Sequence, residues 1–177
     1  AGVGFLAAYF IAVLSSLAEV NQRATALLSA VLAGAIFGFL PFNVPPARVF
    51  LGDTGSQFIG YMIAVFALIA GGKVATVALI LAIPILDVVW VSARRILHGT
   101  SPFRADRLHL HHRLLTAGFS ARAVLVILWG FAALLGSVSL VTTTVGKFHA
   151  ALMIIGVMVA IATALVLLEW KKGKQRG

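Results

Sequence analysis

The chain has 177 residues, 61% of them hydrophobic and only 11% charged, with a mean hydropathy of +1.06. A soluble globular domain carries charge on about a quarter of its residues, so that class is excluded. Fourteen Lys and Arg against five Asp and Glu leave a net charge of +9, and there is no cysteine, which removes disulfides, thiolate metal sites and cysteine nucleophiles together.

Taken in order, apolar runs occupy residues 3–18, 24–40, 56–72, 74–93, 123–141 and 149–168. Each is near the ~20 residues that cross a bilayer core, and continuous blocks of this length are not the alternating strands of a membrane barrel. The expectation is an all-α, multi-pass transmembrane helix bundle of about six spans. The opening Ala1-Gly-Val-Gly-Phe enters an apolar run without an initiator Met or a basic leader. Residues 1–177 are therefore expected to be the C-terminal part of a single integral-membrane domain whose N-terminal part is missing. Gly34 and Gly38, at helical spacing in the second run, are expected to let neighbouring helices approach closely.

The connections at 19–23, at Lys73 and at 142–148 are short, whereas those at 41–55 and 94–122 are long and polar. If the long connections and the tail share one side, that side holds Arg48, Arg94, Arg95, Arg104, Arg107, Arg113, Arg122, Lys171, Lys172, Lys174 and Arg176. The other side holds Arg23, Lys73 and Lys147. The positive-inside rule then puts both long loops and the C-terminus in the cytoplasm, with Trp170 as an interfacial anchor. Topology and contact with anionic lipid account for the excess charge, and no aromatic-basic platform of the nucleic-acid-binding kind is present.

In the first long connection, Asn43-Val-Pro45-Pro46-Ala-Arg48-Val-Phe50-Leu-Gly52-Asp53-Thr54-Gly55-Ser56, the paired prolines forbid a continuous helix. Gly52 and Gly55 let backbone come close to a ligand on either side of Asp53. A carboxylate on that turn either caps the following helix, as Thr54 or Ser56 could also do, or binds magnesium. The fourth run carries Pro84-Ile-Leu-Asp87. An ionisable residue there is a functional candidate by default, but near the end of a span it serves equally well in a structural hydrogen bond or a link to an arginine.

The second long connection is the polar island of the chain. Residues 93–122 hold six of the fourteen cations, and Ser101-Pro-Phe-Arg104-Ala-Asp106-Arg107-Leu-His109-Leu-His111-His112-Arg113 lies at its centre. On a helix His109 and His112 share a face without His111, and on a strand His109 and His111 pair, so a loop is expected. Structural zinc is disfavoured, since the nearby supply is three imidazoles and Asp106 without any Cys or Glu. Imidazoles among arginines suit the binding and polarising of phosphate oxygens. A basic patch for lipid headgroups is the bland alternative.

The loop 43–56, the Pro-Ile-Leu-Asp87 span running to Arg94-Arg95, and the island Ser101 to Leu115 together resemble the polyprenyl-phosphate N-acetylhexosamine-1-phosphate transferases. The likeness covers nearly the whole chain. The Asp-Arg-x-His-x-His-His form resembles the branch making undecaprenyl-diphospho-N-acetylglucosamine more than the phospho-N-acetylmuramoyl-pentapeptide branch. It implies transfer of N-acetylhexosamine-1-phosphate, GlcNAc-1-phosphate foremost, from a UDP-sugar to undecaprenyl phosphate at the bacterial plasma membrane, releasing UMP. The resemblance makes Asp53 a magnesium ligand or its close supporter, with manganese able to substitute, and has Phe50 stack on uracil and Asn43 bond the nucleotide. It sets His109, His111 and His112 against the diphosphate as catalytic residues, and Gly52, Arg104, Asp106 and Arg107 in substrate binding. The lipid chain is expected in a groove between helices. Family members also carry an upstream acidic pair and a motif ending Asp-Gly-Leu-Asp-Gly, of which Ala1-Gly2 looks like the trailing remainder. The 177-residue fragment alone is accordingly expected to be inactive. Two other classes stay open at this point, a cation or proton transporter using Asp87 and the histidines, and a non-catalytic scaffold.

Overall fold

The computed structural model describes residues 1–17, 21–70, 73–97 and 110–142, with 145–147, 149, 152–154 and 156 beyond them. The elements are α1 (Gly2–Ser16), α2 (Arg23–Asn43), α3 (Gly52–Ile69), α4 (Val74–Ile80), α5 (Ala82–Leu97), α6 (Leu110–Thr116) and α7 (Ala121–Val141). No strand occurs among the described residues. The all-α membrane expectation holds.

α1 is the hub, packed on α2, α3, α4 and α7. Ala7, Phe10 and Ile11 meet Ile63, Phe66 and Ala67 of α3, Val77 and Ile80 of α4, and Ala132 of α7 in one buried cluster. In lipid, helices gain little by hiding apolar surface from one another, so close backbone approach and dense packing carry the association. The glycines that allow this approach are Gly136, where a Cβ would collide with the Phe10 ring, and Gly2, where it would collide with the Trp129 indole. Gly34 and Gly38, expected to play that part, instead face open space. Their spacing put them on one face of α2, but the partner helix lies against the face carrying Ala33, Ile36 and Leu40.

Of the five expected spans that the described residues cover, α2, α3 and α7 are long and apolar enough to cross a membrane. The 74–93 run is not one straight span, because α4 and the part of α5 to Ala93 bend by 70° at Leu81. Proline explains the break: Pro84 has no N–H for the Ile80 carbonyl, and its ring would clash with that carbonyl in a continuous helix. Chain composition alone registers hydropathy and not this interruption. α1, at 15 residues, is shorter than the run that suggested it. Most of the sixth expected span, 149–168, lies outside the described residues, as do Trp170 and the basic tail.

Candidate functional site

The site begins where α2 stops. Pro41 sits in its last turn, the Val44 N–H closes on the Leu40 carbonyl at 3.0 Å, and Val44 turns extended (φ −69°, ψ 139°), the conformation favoured before Pro45. The following loop folds back on itself. The Arg48 and Val49 amides both donate to the Phe42 carbonyl, at 2.8 and 3.1 Å, and Asn43 Nδ2 donates to the Val49 carbonyl at 3.1 Å. Asn43 thus has a structural duty as well as its expected one. Phe50 emerges from this loop 79% exposed.

Gly52 then adopts φ +69°, a left-handed conformation that strains other residues, and turns the chain into α3. Asp53 lies in the first turn of α3, exposed. It is not the cap, since the N-cap position falls on Leu51 and no side chain caps this end. Nor do Thr54 or Ser56 cap it; Ser56 Oγ donates instead to the Asp53 carbonyl at 2.9 Å. Of the two readings left open for Asp53, the capping one is therefore removed.

On the other connection, Leu110–Thr116 is a short helix and not the expected loop. A tertiary contact holds its first described residue. Asp87 Oδ1 accepts the Leu110 N–H at 2.8 Å and so satisfies an otherwise orphaned amide at the start of α6. Asp87 shares a stripe of α5 with buried Ile83, Val91 and Arg95, one helical turn apart each, which aims it into the bundle. The structural reading of Asp87 is the one the contact supports. His111 and His112 stand on α6 with ring centroids 4.2 Å apart and planes inclined at 37°. His111 and Asp87 also line one cavity of about 110 Å³, together with Val3, Pro84, Leu110 and Leu128. His109, Arg104, Asp106 and Arg107 lie outside the described residues.

Beyond α6, Gly118 at φ +102° and two bonds, Gly118 N–H to the Leu115 carbonyl and Phe119 N–H to the Leu114 carbonyl, reverse the chain. Ser120 Oγ then caps α7 by accepting from the Ala123 N–H at 3.2 Å. Two residues into that cap, Arg122 Nε donates to the Pro45 carbonyl at 3.1 Å. This bond joins the two polar connections across 77 residues and puts them on one end of the bundle, as expected. Arg122 was counted in the sequence only as a charge; its role has no local signature, because its partner is a backbone carbonyl. At the opposite end Lys147 Nζ donates to Thr76 Oγ1 at 2.9 Å, beside Lys73. Partial burial, and secondarily the Lys73 charge, lower the Lys147 pKa.

Among the described residues no group of three or more His, Cys, Asp or Glu is gathered as a metal cage. One exposed carboxylate suits magnesium nonetheless, since that ion keeps several waters and is held by one or two carboxylates plus substrate phosphates. A groove of about 1040 Å³ runs between α1 and α2, lined by Phe5, Tyr9, Leu27, Ala30, Gly34 and Phe37 among others.

A helical membrane protein with an aromatic ring, a carboxylate and imidazoles on one polar end is the class that fold and site define. Residues 1–71 match the family model described as Glycosyl transferase family 4. The decaprenyl-phosphate N-acetylglucosaminephosphotransferase of Mycolicibacterium smegmatis is 35% identical over 162 residues, covering 81% of this chain and 39% of that protein. The probable undecaprenyl-phosphate N-acetylglucosaminyl 1-phosphate transferase of Bacillus subtilis is 39% identical over 126 residues, covering 67% of this chain and 35% of that protein. The undecaprenyl-phosphate alpha-N-acetylglucosaminyl 1-phosphate transferase of Escherichia coli K12 is 34% identical over 128 residues, again 67% and 35%. No solved structure matches. Residues 1–71 thus match glycosyl transferase family 4, and the chain is similar to these transferases while spanning about a third of the length of the curated relatives it matches.

Proposed function

We propose that the protein carrying this sequence transfers N-acetylhexosamine-1-phosphate, foremost GlcNAc-1-phosphate, from a UDP-sugar to undecaprenyl phosphate. The observation that carries the reading is the Arg122 to Pro45 bond, which holds exposed Phe50 and Asp53 on the same end of the bundle as the histidine helix. The names of the relatives support polyprenyl phosphate as the acceptor. The active end faces the cytoplasm of a bacterial inner membrane, and the product opens a cell-envelope polysaccharide.

In this reading an oxygen of the lipid phosphate attacks the phosphorus that carries the sugar. The bond from that phosphorus to the bridging oxygen breaks, and UMP departs with the electron pair. Phosphoryl transfer of this kind needs positioning and charge neutralisation more than covalent chemistry. Phe50 stacks on uracil, Asn43 fixes the nucleotide, and Gly52 lets the backbone approach it. Asp53 holds magnesium, or manganese in its place, which neutralises charge on the diphosphate oxygens when bound. His109, His111 and His112, with Arg104 and Arg107 nearby in sequence and Asp106 beside them, orient and polarise the phosphates. The α1–α2 groove offers an apolar bed of the kind a prenyl chain needs.

The transporter alternative needs a coupled carboxylate within the membrane, and Asp87 is engaged instead in starting α6. The test is UMP release from UDP-GlcNAc and undecaprenyl phosphate, with thermal stabilisation by UMP and magnesium as a binding readout. Turnover that is lost together with nucleotide stabilisation in Asp53→Ala supports the proposal. Absence of both in the unaltered protein sinks it.

A further inference from the structure

We propose that Arg122 is a positioning residue that presents the nucleotide loop to the histidine helix, an inference that rests on the transferase reading above. The loop's own bonds, from Arg48, Val49 and Asn43, close it upon itself, and the Val44 N–H on the Leu40 carbonyl ties its start to α2; none of these bonds reaches α6 or α7. The long-range hydrogen bond described for it is Arg122 Nε to the Pro45 carbonyl, at 3.1 Å. Pro45 lies five residues before Phe50 and eight before Asp53, so fixing its carbonyl fixes the approach of both.

Two further observations single Arg122 out. It stands in the first turn of α7, which contains no acidic residue. The positive end of a helix dipole disfavours a cation there, so the helix itself gives no reason for an arginine. Its place is also tied to the histidines. Asp87 starts α6, the Gly118 turn ends it, and the Ser120 cap starts α7 two residues before Arg122. The spacing from His112 to Arg122 is thus built from bonded elements throughout. Arg122 transmits the position of α6 and α7 to the loop, touching neither the phosphates nor the base.

The bond comes from Nε, and this permits a discriminating pair of substitutions. Glutamine carries an amide nitrogen the same number of bonds from Cα, without charge, whereas methionine has similar length and no donor. In the protein carrying this sequence, Arg122→Met should raise KM for UDP-GlcNAc about three- to tenfold, the value of one ordinary hydrogen bond. KM for undecaprenyl phosphate should stay unchanged. Hydrogen exchange at the Arg48 and Val49 amides should quicken by a similar factor, while Arg122→Gln should resemble the unaltered protein in both measurements. The proposal is overturned if Arg122→Lys restores KM and Arg122→Gln does not, since charge alone would then be at work. It is equally overturned if Arg122→Met leaves loop exchange unchanged. Because exchange is read without substrate, a protein that turns over no UDP-sugar would refute the transferase reading while the brace is still decided by exchange.

Discussion

At the scale of single residues, Phe50 and Asp53 carry the clearest consequences. Under the proposed function the phenyl ring left 79% exposed on the loop would stack on the base, and such stacking is worth about 1–3 kcal/mol. Phe50→Ala should therefore raise KM for the UDP-sugar by about tenfold or more, with Phe50→Trp tolerated, as steady-state kinetics would report. Lys147 offers a second prediction. Its pKa is lowered by burial and then by Lys73, so the unfolded state binds more protons just below 10.5. Stability must then rise with pH as Lys147 loses its proton and falls back as the group is charged. Thermal melts from neutral pH toward 10.5 should show that rise, and Lys147→Met should flatten it.

At the scale of elements, the decisive contacts are between helices. Asp87 starts α6 through the Leu110 N–H. Asp87→Asn keeps an acceptor oxygen and should retain most activity. Asp87→Ala leaves the amide unpaired, at a cost of about 1–3 kcal/mol, and should lower turnover while the remaining bundle stays folded. Circular dichroism beside UMP-release assays would separate the two. Glycine placement gives another test. Gly136→Ala drives a methyl into the Phe10 ring and should destabilise by about 1–3 kcal/mol, lowering Tm. Gly34→Ala, opening on free space, should change Tm little. The 70° break at Leu81 belongs to this scale too, since Pro84 both interrupts the span and stands one turn before Asp87.

At the scale of the whole molecule, the bundle has two unlike ends. Arg122 and the 43–51 loop lie at one, and Lys73, Thr76 and Lys147 at the other. The chain has no cysteine, so single-cysteine probes report orientation without interference. A cysteine at Val49 should react with an impermeant maleimide only from the cytoplasmic side, and one at Lys73 only from outside. The opposite pattern would reverse the proposed orientation. The helical class, the apolar runs and the pairing of long polar connections were all legible in the chain, because bilayer thickness and the cost of burying charge act on composition directly. The motifs around Asp53 and the histidines were legible for a related reason, being contiguous in sequence.

What composition and spacing alone determined is that this is a helical membrane chain whose long polar connections are residues 41–55 and 94–122. Tertiary structure decided the rest. It showed Asp53 released from capping, Asp87 committed to α6, α6 formed as a helix, close approach assigned to Gly2 and Gly136, and Arg122 bonded to Pro45. All but the first depend on a partner far away in sequence, often a backbone N–H or C=O that every residue possesses. No residue pattern marks such a partner in advance; only the packed helices bring it within reach.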